Sequence, residues 1–144
     1  MRTPWLLTLT LVLGCASTVG PDLSGTFAVA ANLGEPFTLK VGQRARIDDA
    51  DLAVRFVEVV GDSRCPSNAL ILCVWEGDGA ILVEIAPLGG GDARADTLHT
   101  TLDPKWVLMG TVLLELLQVD PYPTDFTPIP LDAYEATFTV RMVR

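Results

Sequence analysis

Tyr134-Glu135-Ala136-Thr137-Phe138-Thr139-Val140-Arg141-Met142-Val143 sets Tyr, Ala, Phe, Val and Met at alternate positions against Glu, Thr, Thr, Arg and Val. Successive side chains of a strand point to opposite faces, so this period of two predicts one half-buried strand. The same period recurs upstream. Pro36 to Val41 sets Phe37, Leu39 and Val41 against Thr38 and Lys40, and Gly42 marks a turn before Gln43 to Ile47. In Leu52 to Val60, Leu52, Val54, Phe56 and Glu58 alternate with Ala53, Arg55, Val57 and Val59, a strand whose buried face the pattern leaves open. Thr26 to Ala31 is a weaker candidate for a first strand.

Further along, Ala69 to Trp75 and Ala80 to Ile85 flank Glu76-Gly77-Asp78-Gly79, which reads as a hairpin turn, and Arg94 to Leu102 follows a glycine-rich break. Val107 to Val119 reads two ways. Asp103-Pro104 suits a helix start and Leu108, Val112, Leu116 and Val119 have helical spacing, whereas Gly110 and the apolar run up to Asp120-Pro121 suit a long buried strand, the reading adopted here. Seven to nine strands separated by turn signals, without a repeated helical period, predict an all-β fold. The expected architecture is an antiparallel β-sandwich, or a partly open barrel, with one disulfide.

The start of the chain predicts an address. Met1-Arg2 is followed by an apolar stretch from Trp5 to Leu13, too short to span a bilayer, and Val12-Leu13-Gly14-Cys15 reads as the box at which a bacterial signal peptidase cuts before a lipid-modified cysteine. The expected organisation is a signal over 1–14, a lipidated tether over 15–25 and a single β-domain over 26–144. Two or three acyl chains on Cys15 would make the membrane tether stable. Ala16 lacks the aspartate that retains such proteins at the inner membrane in enteric bacteria, which favours the outer membrane where the source has two.

Charge narrows the partners. The chain carries 18 acidic and 10 basic residues; loss of Arg2 with the signal leaves 9 basic residues and a net charge of −9. Such a surface repels phosphate backbones and anionic lipid headgroups, so no nucleic-acid partner is expected and the lipid provides the membrane contact. With Cys15 lipidated, Cys65 and Cys73 remain as an even pair in an oxidising compartment, and a disulfide is the default there.

Asp62-Ser63-Arg64-Cys65-Pro66, followed by Cys73-Val74-Trp75 with Gly77 and Ala80 behind it, resembles a family of small bacterial lipoproteins that have no assigned activity. That family carries a D-S-R-C-P loop and then C-[VI]-W-x-G-x-A. The similarity extends to Phe37–Gln43, Leu52–Val60, Leu116-x-x-Val119-Asp120-Pro121-Tyr122-Pro123 and the strand at Tyr134, while Glu76 stands where a small residue is more familiar. The resemblance implies an exported, compact β-sandwich-like domain and brings no chemistry with it.

Physically, Arg64 is expected to bond Asp62 or nearby carbonyls, and the Trp75 ring to pack over the disulfide. A second reading has Asp62, Ser63, Arg64, Asn68 and Trp75 present a partner-contact loop, joined by Tyr122 and Phe126 from the proline-rich tract 120–130. Tyr122 and Phe126 otherwise serve as lids on the sandwich end.

Chemistry has few parts to work with. His99 is the one histidine; Ser63 with Asp92 or Asp96 completes a triad on paper, but no nucleophile elbow supports it, and the plainer expectation is a side chain facing solvent or bonding a neighbour. Asp48, Asp49 and Asp51 form the weak metal candidate, without the spacing of a calcium loop. No cofactor and no catalysis are expected. The sequence therefore favours a non-catalytic binding or accessory domain at the cell envelope, with a loop-presenting inhibitor as the alternative and a small hydrolase third.

Overall fold

The computed structural model describes residues 25–68 and 70–144. The expected signal, Cys15 and the tether up to residue 24 lie outside the described residues. Among the described residues nine strands follow one another: β1 (Val29–Ala30), β2 (Phe37–Lys40), β3 (Arg44–Ile47), β4 (Leu52–Asp62), β5 (Gly79–Pro87), β6 (Arg94–His99), β7 (Trp106–Met109), β8 (Val112–Asp120) and β9 (Glu135–Met142). They form a five-stranded sheet, β1-β3-β4-β5-β6, and a four-stranded sheet, β2-β9-β8-β7. β1 runs parallel to β3 and all other pairs are antiparallel. The chain is an all-β sandwich.

The core lies where the alternating residues of the two sheets meet. Phe37 and Leu39 of β2, Val54 and Phe56 of β4, Ile81, Val83 and Ile85 of β5, and Phe138 and Val140 of β9 are all buried. Phe138 sits at the centre, its ring 5.8 Å from that of Phe37 and edge-on to Phe56 at 6.5 Å, a geometry that aromatic quadrupoles favour. Burial of a large apolar side chain contributes about 1.5–3 kcal/mol each, so these strands hold their register through their inward residues.

Two bulges settle the face of β4 that the sequence pattern left open. Register shifts between Phe56 and Glu58 and between Val59 and Gly61 insert extra residues, so Leu52, Val54 and Phe56 point inward while Glu58 stays in water and Val59 packs on the core. A third bulge between Leu116 and Gln118 turns Leu117 outward and Val119 inward.

Four expectations are corrected. Val107 to Val119 is neither a helix nor one long strand: β7 and β8 form a hairpin, Met109 opposite Val112, because Gly110 takes the left-handed conformation (φ +60°) that a turn requires. Of the strand expected over Ala69 to Trp75, the described residues Leu70 to Trp75 form none. β4 pairs directly with β5, Asp62 opposite Gly79, and the chain between them leaves the sheet as a disulfide-tied excursion. The first strand shrinks to Val29–Ala30, and the strand expected over Arg94 to Leu102 ends at His99.

Candidate functional site

The excursion leaves the end of the sandwich on an ordered base. Ser63 N–H donates to the Asp78 carbonyl (2.8 Å) and Cys65 N–H to the Glu76 carbonyl (2.8 Å), which prolongs the β4–β5 ladder by one turn of pairing. The Ser63 hydroxyl donates to the Asp78 carbonyl and accepts from the Asp78 N–H. Beyond this base the Cys65–Cys73 disulfide closes the loop, with Cα atoms 6.0 Å apart. At the tip, Asn68 accepts the Leu70 N–H on its side-chain oxygen (3.0 Å) and the Ile71 N–H on its carbonyl (2.9 Å), a tight turn of the kind Asn favours.

Beneath the loop Arg64 ties three segments together. Its guanidinium donates to both oxygens of Asp62 (Nε 2.8 Å, Nη2 2.6 Å), to the Val119 carbonyl from Nη1 and to the Pro121 carbonyl from Nη2 (2.9 Å). The Tyr134 hydroxyl donates to Asp62 Oδ2 at 3.0 Å. Tyr122 lays its ring over the guanidinium, 5.1 Å from its centroid, the side from which an aromatic quadrupole attracts a cation. Ser67 N–H donates to the Pro123 carbonyl and joins the disulfide loop to the proline-rich tract.

A second buried carboxylate fixes the neighbouring loop. Asp78 accepts from His99 Nδ1 (2.6 Å), from the Thr101 and Leu102 N–H groups (2.9 and 3.3 Å) and from the Thr100 hydroxyl (3.3 Å). His99 bonds a neighbour as expected, but that neighbour is Asp78, neither Asp92 nor Asp96. Asp96 is held instead by Arg94, and Ser63 is turned to the Asp78 backbone. The paper triad is not assembled.

Burial would raise both carboxyls, yet their donors outweigh it. Arg64 and Tyr134 hold Asp62 below the ordinary carboxylate range, and His99 with the Thr101 and Leu102 N–H groups does the same for Asp78. Burial and the Asp62 carboxylate push the Tyr134 phenol from 10.0 up to about 12. Carboxyls depressed in the fold contribute stability that is full above their unfolded value, about 3.9, and is lost as pH falls through the folded value. The melting temperature is therefore expected to fall below about pH 4, and less steeply in Asp78→Asn than in the wild type. A raised phenol acts at the other end: its contribution is complete below pH 10 and disappears as pH rises through about 12. Tyrosinate absorbance should show a late step near that value that Tyr134→Phe removes; a single step near 10 would refute the arrangement.

The residues expected to contact a partner separate into two groups. Asp62 and Arg64, the latter only 6% exposed, are struts and not surface groups, because they pair with each other and with carbonyls under the loop. Ser63, Asn68, Trp75, Tyr122 and Phe126 reach the surface. Trp75 is 51% exposed, not the buried ring expected over the disulfide, and Phe126 is 77% exposed, not a lid.

The strongest surface feature lies on residues read as a strand: Leu70, Leu72 and Val74 are 91%, 96% and 103% exposed. A cleft of about 550 Å³ lies between residues 59–66, at the base of the loop, and the tract 123–134. The acidic turn has other work. Asp48 holds Arg46, Asp51 accepts the Gly89 N–H on its side chain and the Leu88 N–H on its carbonyl, and Asp49 is exposed. Among the described residues no group of three His, Cys, Asp or Glu side chains is placed to hold a metal ion. No protein family, curated protein or solved structure matches the chain.

Proposed function

We propose that the chain is an exported, lipid-anchored envelope protein whose β-sandwich is a non-catalytic binding domain, and that it engages a protein partner through the apolar cystine loop 65–73 and its continuation to Trp75. The observation that carries this reading is the exposure of Leu70, Leu72 and Val74 on a loop closed by a disulfide and seated on a buried ion pair. Leaving three branched aliphatic side chains in water forgoes about 1.5–3 kcal/mol of burial for each. A contiguous exposed apolar patch of this kind marks an interaction site. The disulfide and the Asn68 turn restrict the loop before contact, which lowers the ordering cost on binding.

Contact suits the site better than turnover. The polar groups under the cleft, Asp62, Arg64 and Tyr134, bond one another, and His99 is not among the residues that line it. A photo-reactive amino acid placed at position 72 in the envelope should cross-link one discrete protein, while the same group at Thr139 should not. Equal, diffuse labelling from both positions would remove the reading. For the anchor, mass spectrometry of the mature protein should find an N-terminal peptide beginning at lipidated Cys15; an unmodified peptide containing Gly14-Cys15 would refute lipidation.

A further inference from the structure

The cleft beside the loop indicates what kind of segment the partner brings. Val59, Pro66, Pro123, Phe126, Ile129 and Leu131 wall it with apolar surface. Its floor is polar and most of its groups bond one another, since Arg64 and the Tyr134 hydroxyl both donate to Asp62 and two further guanidinium N–H groups reach the Val119 and Pro121 carbonyls. An entering group therefore finds apolar walls and a floor whose polar groups mostly bond one another, which favours a hydrocarbon or aromatic side chain.

The rim adds a sign. Asp125 stands exposed at the mouth, its carboxylate accepting the Thr127 N–H at 2.7 Å. Hydrogen bonds from Thr127 hold it below the ordinary carboxylate range, so it is charged at neutral pH. Residues 60–79, 99–105 and 117–134, which build this end of the sandwich, contain Asp62, Glu76, Asp78, Asp103, Asp120, Asp125 and Asp132 against Arg64, Lys105 and His99. Asp62 pairs with Arg64 and the buried Asp78 with His99, each at 2.6 Å, so the sign of this end is set by Glu76, Asp103, Asp120, Asp125 and Asp132 against Lys105. A second copy of the chain would bring the same acids face to face, and an anionic bilayer would be repelled, whereas a cationic surface is attracted.

Resting on the reading of this end as a binding surface, we propose that the cleft receives an apolar side chain from a protein segment that carries lysine or arginine next to it, the apolar body lying against Phe126 and Ile129 and the cation on Asp125. The partner is thus a basic-rimmed apolar segment.

Labelled decapeptides of alternating leucine and lysine, or of leucine and glutamate, test this by fluorescence anisotropy against the full-length protein in phosphatidylcholine nanodiscs, with empty discs as blank. The leucine–lysine peptide should bind above the blank, the leucine–glutamate peptide should not, and binding should weaken at least fivefold in Asp125→Lys and in Phe126→Ala. Asp125 and Phe126 are exposed, so both variants are expected to fold, and their melting temperatures check this. Absence of binding, equal binding of the two peptides, or affinity unmoved in both variants would overturn the proposal. So would concentration-dependent dimers that Phe126→Ala abolishes, which would make a second copy the occupant. A partner cross-linked through position 72 with a yield unchanged by Asp125→Lys would sink this inference and leave the loop reading in place.

Discussion

Arg64→Met is expected to lower the melting temperature by about 10–20 °C, the larger of two effects at the loop base. Methionine approximates the length of the arginine stem but donates nothing, so Asp62 keeps a buried charge with Tyr134 as its remaining side-chain donor, and the Val119 and Pro121 carbonyls lose their partners. Removing one member of a buried ion pair costs about 3–5 kcal/mol, mostly through the charge left behind. In a domain of this size each kcal/mol shifts the midpoint by about 3–5 °C. The double variant Arg64→Met/Asp62→Asn should recover part of the loss, because the stranded charge is gone. A single variant that melts within about 3 °C of wild type would show that the pair does not hold the loop base.

Gly77→Ala is expected to cost about 3 kcal/mol, from left-handed strain of about 1–2 kcal/mol together with overpacking of about 1–3 kcal/mol. Gly77 has φ +76°, and a Cβ there would stand 1.9 Å from the Ser63 carbonyl oxygen and 2.7 Å from Arg64 Cα. Both neighbours are backbone, so the ladder between Ser63 and Asp78 must shift. Gly110→Ala separates the two contributions. It also has a positive φ, +60°, but an added Cβ meets nothing within 4 Å, so it should carry the conformational cost alone, about 1–2 kcal/mol. Equal destabilisation in the two variants, measured by denaturant unfolding, would refute the close packing of Gly77 under the loop.

The strands were legible where inward and outward residues alternate, as in Phe37–Lys40 and Glu135–Met142, because a period of two follows from strand geometry whatever the neighbours are. The pattern misled at Leu70–Trp75. A run of branched and aromatic residues suits a strand, but Cys65 and Cys73 are only eight residues apart, and β4 already has β5 as its partner. The run was left in water, which propensity does not register. At Val107–Val119 the apolar run concealed a turn whose one local sign was Gly110.

Arg64 with Asp62 was legible as a local pair, since two residues of one loop often meet. Its bonds to the Val119 and Pro121 carbonyls, 55 and 57 residues away, depend on topology and leave no sequence signal. The same holds for His99 and Asp78, which meet because β5 and β6 are paired, whereas Asp92 and Asp96 lie closer in sequence. The exposed face of the disulfide loop, the basis of the functional reading, was accessible only once the strands had been placed.

The most direct measurement is quantitative capture from an extract of the source cells with wild type and Leu72→Ser/Val74→Ser side by side. Both residues are essentially fully exposed, so the double variant should fold with stability within about 1 kcal/mol of wild type. Removing two apolar anchors from an interface costs more than about 1.4 kcal/mol, a factor of ten in affinity. The account predicts that the protein cross-linked through position 72 is recovered at least tenfold less by the variant at limiting bait, with the melting temperature unchanged. Recovery of that protein in equal amount by a correctly folded variant would contradict it.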